Sequence, residues 1–127
     1  YVLAALGGSV FSYLLAPIHQ AGVGASGAIF GLFGAWFAIA RARRADTGGL
    51  VVLIVINLAF SFYDRAIDWR AHVGGLIVGL VIGFAFALVE RRPPAQRRLL
   101  EVASCAAMVA VMVALVALRT HQIRAMT

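Results

Sequence analysis

The chain has no lysine, one cysteine, three prolines and only five acidic residues among its 127 positions. Each scarcity excludes something. A lone cysteine, Cys105, rules out an intramolecular disulfide framework, and inside an apolar run it reads as ordinary packing. Charged residues make up 13% of the chain and hydrophobic ones 63%, with a mean hydropathy of +0.96. An ordinary soluble domain is about 25% charged and about 45–50% apolar. So little polar surface cannot keep the chain in solution, and the class is an integral membrane protein. No Cys/His or carboxylate cluster has metal-ligand spacing, and no glycine loop leads into Lys-Ser or Lys-Thr. Neither a metal nor any other cofactor is expected. The start shows no basic n-region and no small-residue cleavage site, which argues against a signal peptide. Because it opens at Tyr1, already inside an apolar segment, the chain is expected to be a fragment lacking upstream helices.

What is present is arginine. All eleven basic residues are arginines, and they set the net charge at +6. They fall mostly at the ends of apolar segments, where membrane topology and lipid headgroups account for them. Nucleic acid is therefore not expected as a partner, whereas the lipid bilayer is. Arginine-only, alanine-rich usage points to a GC-rich bacterial genome, and hence to a bacterial inner (plasma) membrane.

Five apolar segments separate, predicting an all-α, polytopic transmembrane helix bundle. The first runs from Tyr1 to about Ala16 and stops at Pro17. The second spans about Ser26 to Ala42, the third Gly49 to Phe62, the fourth Arg70 to Val89 and the fifth Leu99 to Leu118. A full span needs about 20 residues. The fourth and fifth qualify outright, while the second and third are short enough to begin below the surface beside a cavity. Arg41, Arg43 and Arg44 follow the second segment; Arg91, Arg92, Arg97 and Arg98 flank Pro93-Pro94 after the fourth. Those two loops hold seven of the eleven arginines and should be cytoplasmic. Ser26 and His72 then both open helices running inward from the outer face, at matching depth.

Those two residues carry the chemistry. Ser26 lies in Gly24-Ala25-Ser26-Gly27, and His72 in Ala71-His72-Val73-Gly74-Gly75. Ionisable side chains at membrane depth are costly and point to function. On the fourth helix His72, Gly75, Gly79 and Gly83 share one face, and Gly27, Gly31, Gly34 and Ala38 form a matching stripe on the second. Small-residue stripes let membrane helices approach closely, so packing them presses His72 against the start of the Ser26 helix. A serine hydroxyl needs a base to become a nucleophile, and histidine suits that role near neutral pH. Free N–H groups at a helix N-terminus suit a developing oxyanion. Gly24 and Gly27 leave the approach to Ser26 open, and Phe30, one turn on, can stack on the imidazole. Taken singly, each of these features also has an ordinary packing or capping reading; their joint occurrence favours a dyad.

Gly24-Ala25-Ser26-Gly27-Ala28-Ile29-Phe30-Gly31-Leu32, followed by Ala71-His72-Val73-Gly74-Gly75-Leu76-Ile77-Val78-Gly79-Leu80, resembles the rhomboid family of intramembrane serine proteases over residues 1–90. Asn57-Leu58-Ala59-Phe60 resembles the stretch leading to that family's histidine helix. The resemblance implies a Ser26–His72 dyad without an aspartate, with Phe30 packed on the histidine and Gly75 and Gly79 seating its helix. Transmembrane proteins would be the substrates, cut in or near their membrane helices. A His-and-Asn pair on an earlier helix and an arginine-bearing loop, both features of that family, do not occur here. The fragment alone is accordingly expected to be inactive. Residues 91–127 would form a basic cytoplasmic linker and an extra C-terminal transmembrane helix. The rival reading is a non-catalytic rhomboid-like protein that binds transmembrane clients; a transporter fragment would show an inverted repeat, and none is evident.

The remaining polar residues read as structural. His19 and His121 are expected to be solvated, and Trp36 and Trp69 to anchor at the interface. Asn57 either bonds a neighbouring helix or lines the cavity. Asp68 either caps the loop or partners His72, and residues 61–70 are expected to gate the cavity.

Overall fold

A computed structural model describes residues 1–15, 25–64 and 66–126, and among them the chain is helical without a strand. The helices are α1 (Val2–Leu15), α2 (Ser26–Ala42), α3 (Gly48–Tyr63), α4 (Trp69–Val89) and α5 (Pro94–Met126). By length and composition α4 and α5 can cross a membrane, whereas α1, α2 and α3 are shorter apolar helices. Helix α4 is the hub: it touches all four others and packs most extensively on α2, then on α1.

Glycine builds that hub. The buried residues of α4 are His72, Gly74, Gly75, Val78, Gly79 and Gly83. A Cβ on Gly75 would fall on the carbonyl oxygen of Gly27, and one on Gly79 on that of Gly31. At Gly83 it would lie 2.8 Å from the Ala35 carbonyl oxygen. The two stripes face each other backbone to backbone. Gly74 turns to α1 instead, where an added Cβ would stand 2.7 Å from the Gly7 carbonyl oxygen and collide with Phe11. With no Cβ to hold the axes apart, the backbones come into van der Waals contact at these glycines, the close approach by which small residues pack helices in a membrane.

Helix α2 ends in a Schellman turn: Ala45 N–H donates to the Ala40 carbonyl at 2.9 Å and Arg44 N–H to that of Arg41 at 3.1 Å. Arg44, at φ 57°, occupies the left-handed position that glycine usually takes. Just beside it Arg43 forms an ion pair with Glu90 at the end of α4, clamping one end of the bundle. The Arg43 hydrogen bond holds the Glu90 carboxyl below its ordinary range. At the opposite end the Tyr13 and Thr120 hydroxyls meet at 2.9 Å, joining α1 to α5.

The fifth helix departs from the expected span of 99–118. It begins at Pro94 and runs for 33 residues. Proline is well suited to the first helical position, and arginine is a good helix former, so the basic stretch joins the helix rather than delaying it. Arg97 and Glu101 reinforce this first turn with an i,i+4 ion pair at 2.7 Å.

Candidate active site

Helices α1, α2 and α4 meet around a cavity of about 380 Å³ at the end of the bundle where α2 and α4 begin. Its polar lining includes Ser9, Ser12, Ser26, Asp68 and His72. Ser26 and His72 thus open onto the same space, although they belong to different helices.

Ser26 is the first residue of α2 and is exposed. The preceding Ala25 has no side-chain cap to offer the start of the helix. First-turn N–H groups have no acceptor within their own helix. Gly27 is buried beneath α4: a Cβ there would lie 2.8 Å from the Ala71 carbonyl oxygen, so the glycine serves helix approach. Gly24 lies outside the described residues, as does His19.

His72 is 5% exposed and held on two sides. Phe30 stacks on its ring with centroids 4.2 Å apart and planes 16° from parallel. Ser61 Oγ, from α3, lies 2.6 Å from its Nδ1. The other nitrogen, Nε2, is buried, with no hydrogen-bond partner among the described residues. Ser26 Oγ and His72 are therefore not hydrogen-bonded to each other here. Gly75 and Gly79, the next two turns of α4, bring its backbone onto Gly27, directly after the serine, and Gly31, just over one turn along.

Ser61 went unremarked in the sequence because a single hydroxyl in an apolar helix ordinarily bonds its own backbone. It does so here, donating to the Asn57 carbonyl at 2.7 Å. The available signal was its burial, which sequence does not display: α3 is exposed along most of its length, and Ser61 is its buried residue. Asn57 matches neither expected role. Its side chain is exposed and donates to the Leu53 carbonyl of its own helix at 2.8 Å. Bonding back to the carbonyl four residues earlier is a local alternative open to a short polar side chain within a helix.

Asp68 caps α4, accepting from Arg70 N–H at 3.1 Å, and also accepts a hydrogen bond from Ser12. The capping alternative is the one observed. The segment expected to gate the cavity is shorter than 61–70, since α3 extends to Tyr63 and α4 begins at Trp69. Phe62 and Trp69 close that junction, ring to ring, at 4.9 Å, and the Arg70 guanidinium lies 5.1 Å above Trp69. Among the described residues no group of three or more His, Cys, Asp or Glu is placed to hold a metal ion.

With this geometry in place, comparison with known proteins is informative. The family model "Rhomboid domain" matches residues 1–89. Rhomboid protease GluP of Bacillus subtilis (strain 168) is 41% identical over 73 residues, covering 54% of this chain and 14% of that protein. The match therefore spans about one-seventh of that relative's length. No solved structure gives a significant match.

Proposed function

The chain belongs to the rhomboid family, which is membrane-embedded, and on that premise we propose that it carries the catalytic dyad of an intramembrane serine endopeptidase. In this reading all five helices lie in a bacterial inner membrane, with the cavity open to the outer face. Ser26 is the nucleophile and His72 the general base. Ser26 Oγ attacks the scissile carbonyl carbon of a transmembrane substrate while its proton passes to His72 Nε2. The Ser26 N–H, at the positive end of α2, helps to hold the oxyanion. As the C–N bond breaks, Nε2 returns that proton to the leaving amine, and the acyl group stays on Ser26. Water then enters, gives its proton to Nε2, attacks the ester, and releases the second product with Ser26 reprotonated.

The observation that supports this most is the shared cavity, with a buried, oriented histidine whose Nε2 has no partner among the described residues. A buried ring nitrogen without a protein partner calls for an explanation, and a part in proton transfer supplies one. At about 380 Å³ the cavity also holds several waters at roughly 30 Å³ each. Phe30, Gly27, Gly75 and Gly79 support the dyad by placing the ring and the backbones around it.

The test is cleavage of a single-pass transmembrane reporter reconstituted in liposomes with the full-length protein. Wild type should cut the reporter in or beside its membrane helix, with the product ends assigned by mass spectrometry. Ser26→Ala and His72→Ala should leave it intact. Cleavage that persists in Ser26→Ala contradicts the proposal.

A further inference from the structure

Ser61 does more than fill space between α3 and α4. We infer that it is a positioning residue that fixes the tautomer of His72, an inference that rests on the dyad reading above. A hydroxyl has one proton to donate and lone pairs with which to accept. Ser61 Oγ stands 2.7 Å from the Asn57 carbonyl and 2.6 Å from His72 Nδ1. The carbonyl can only accept, so the Ser61 proton goes to it. The contact with Nδ1 then requires Nδ1 to be the donor. In the neutral imidazole a proton on Nδ1 leaves Nε2 as a bare lone pair.

That lone pair belongs to the nitrogen that is buried and, among the described residues, unpartnered. Placing the proton on Nε2 instead would leave Nδ1 facing an oxygen whose proton is already committed to the Asn57 carbonyl. Phe30 fixes the plane of the ring, at 16° from its own, and Ser61 fixes which edge carries the proton. The result is a base held ready for the Ser26 proton before substrate arrives. When Nε2 takes that proton, Nδ1–H continues to donate to Ser61, whose oxygen dipole faces the new positive charge. No further proton has to move.

This assigns catalytic meaning to α3, a helix that otherwise packs lightly on its neighbours. Its single buried side chain among the described residues reaches across to the ring. Movement of α3 away from α4 would free the tautomer.

The test uses the full-length protein in detergent, labelled with ¹⁵N-histidine, with the His72 signals assigned by their loss in His72→Asn. Under conditions where His72 is neutral, wild type should show a protonated Nδ1 and an unprotonated Nε2. Ser61→Ala should shift the proton largely to Nε2. It should also slow fluorophosphonate labelling of Ser26 about tenfold, less than the roughly 10²–10⁴ carried by a general base. Ser61→Thr, which keeps the hydroxyl, should restore both readouts. A wild-type proton on Nε2, or a Ser61→Ala tautomer and labelling rate like those of wild type, would overturn the assignment. If wild-type Ser26 takes no label while the tautomer behaves as expected, the dyad reading fails and Ser61's catalytic part falls with it. The two failures are thus told apart.

Discussion

At the scale of single residues, His72 is held by a flat face and a hydroxyl rather than by a carboxylate. The face was legible in the sequence: Phe30 lies one turn beyond Ser26, and helical periodicity puts both on the side turned to α4. The hydroxyl was not, because Ser61 acts from a third helix whose approach no spacing encodes. Replacing Phe30 by leucine separates orientation from packing. It keeps most of the apolar volume, so stability should fall by less than about 1.5 kcal/mol. The flat contact at 4.2 Å would be lost, and Ser26 labelling should slow several-fold with little change in melting temperature. Thermal unfolding and labelling kinetics on one preparation check both parts. Equal labelling in Phe30→Leu would show that the stack does not orient the ring.

Among elements, the α2–α4 contact is decided by backbone approach. Two stripes of small residues spaced by three and four announced it, since no other pairing of faces lets both run smooth. The α1 contact was harder to read. Gly7 and Gly8 are adjacent in sequence but serve different parts of α4: Gly7 faces Val78, while Gly8 faces the Ala71 carbonyl. Gly75→Ala and Gly79→Ala should each destabilise the protein by about 1–3 kcal/mol, because backbone rather than a movable side chain occupies the space. Gly49→Ala is the control. An added Cβ there meets nothing within 4 Å, so it should be neutral or stabilising by up to about 1 kcal/mol through helix propensity. Melting temperatures of the three variants in one detergent decide the matter. Tolerance at Gly75 would mean that the helices stand further apart than described.

Over the whole molecule, the bundle has a chemical end and a clamped end. Cavity, serine and histidine gather where α2 and α4 begin; the Arg43–Glu90 pair closes the end where they finish. The hydrogen bond from Arg43 lowers the folded-state pKa of Glu90, so the pair adds stability above the unfolded carboxyl value of about 4.3. That contribution disappears as pH falls through the lower folded value. Wild type should therefore melt slightly above Glu90→Gln at pH 7, and the two should converge once pH has fallen below the folded Glu90 value. The effect is small, since both side chains face solvent. A gap that widens in acid would contradict the sign.

The number and order of the helices were legible from apolar runs, and the two motifs pointed to Ser26 and His72, which line one cavity. The extent of α5 was not, because a charged stretch that can be helical looks like a linker until its proline is seen to start a helix. Everything rests on one chemical claim, that His72 activates Ser26. Its most direct test is labelling of the full-length protein in detergent by a fluorophosphonate probe, comparing wild type, Ser26→Ala and His72→Ala. The account predicts a wild-type adduct on Ser26 that both variants lose. An unlabelled wild type, or a Ser26→Ala variant that labels equally well, would contradict it and leave the client-binding reading in its place.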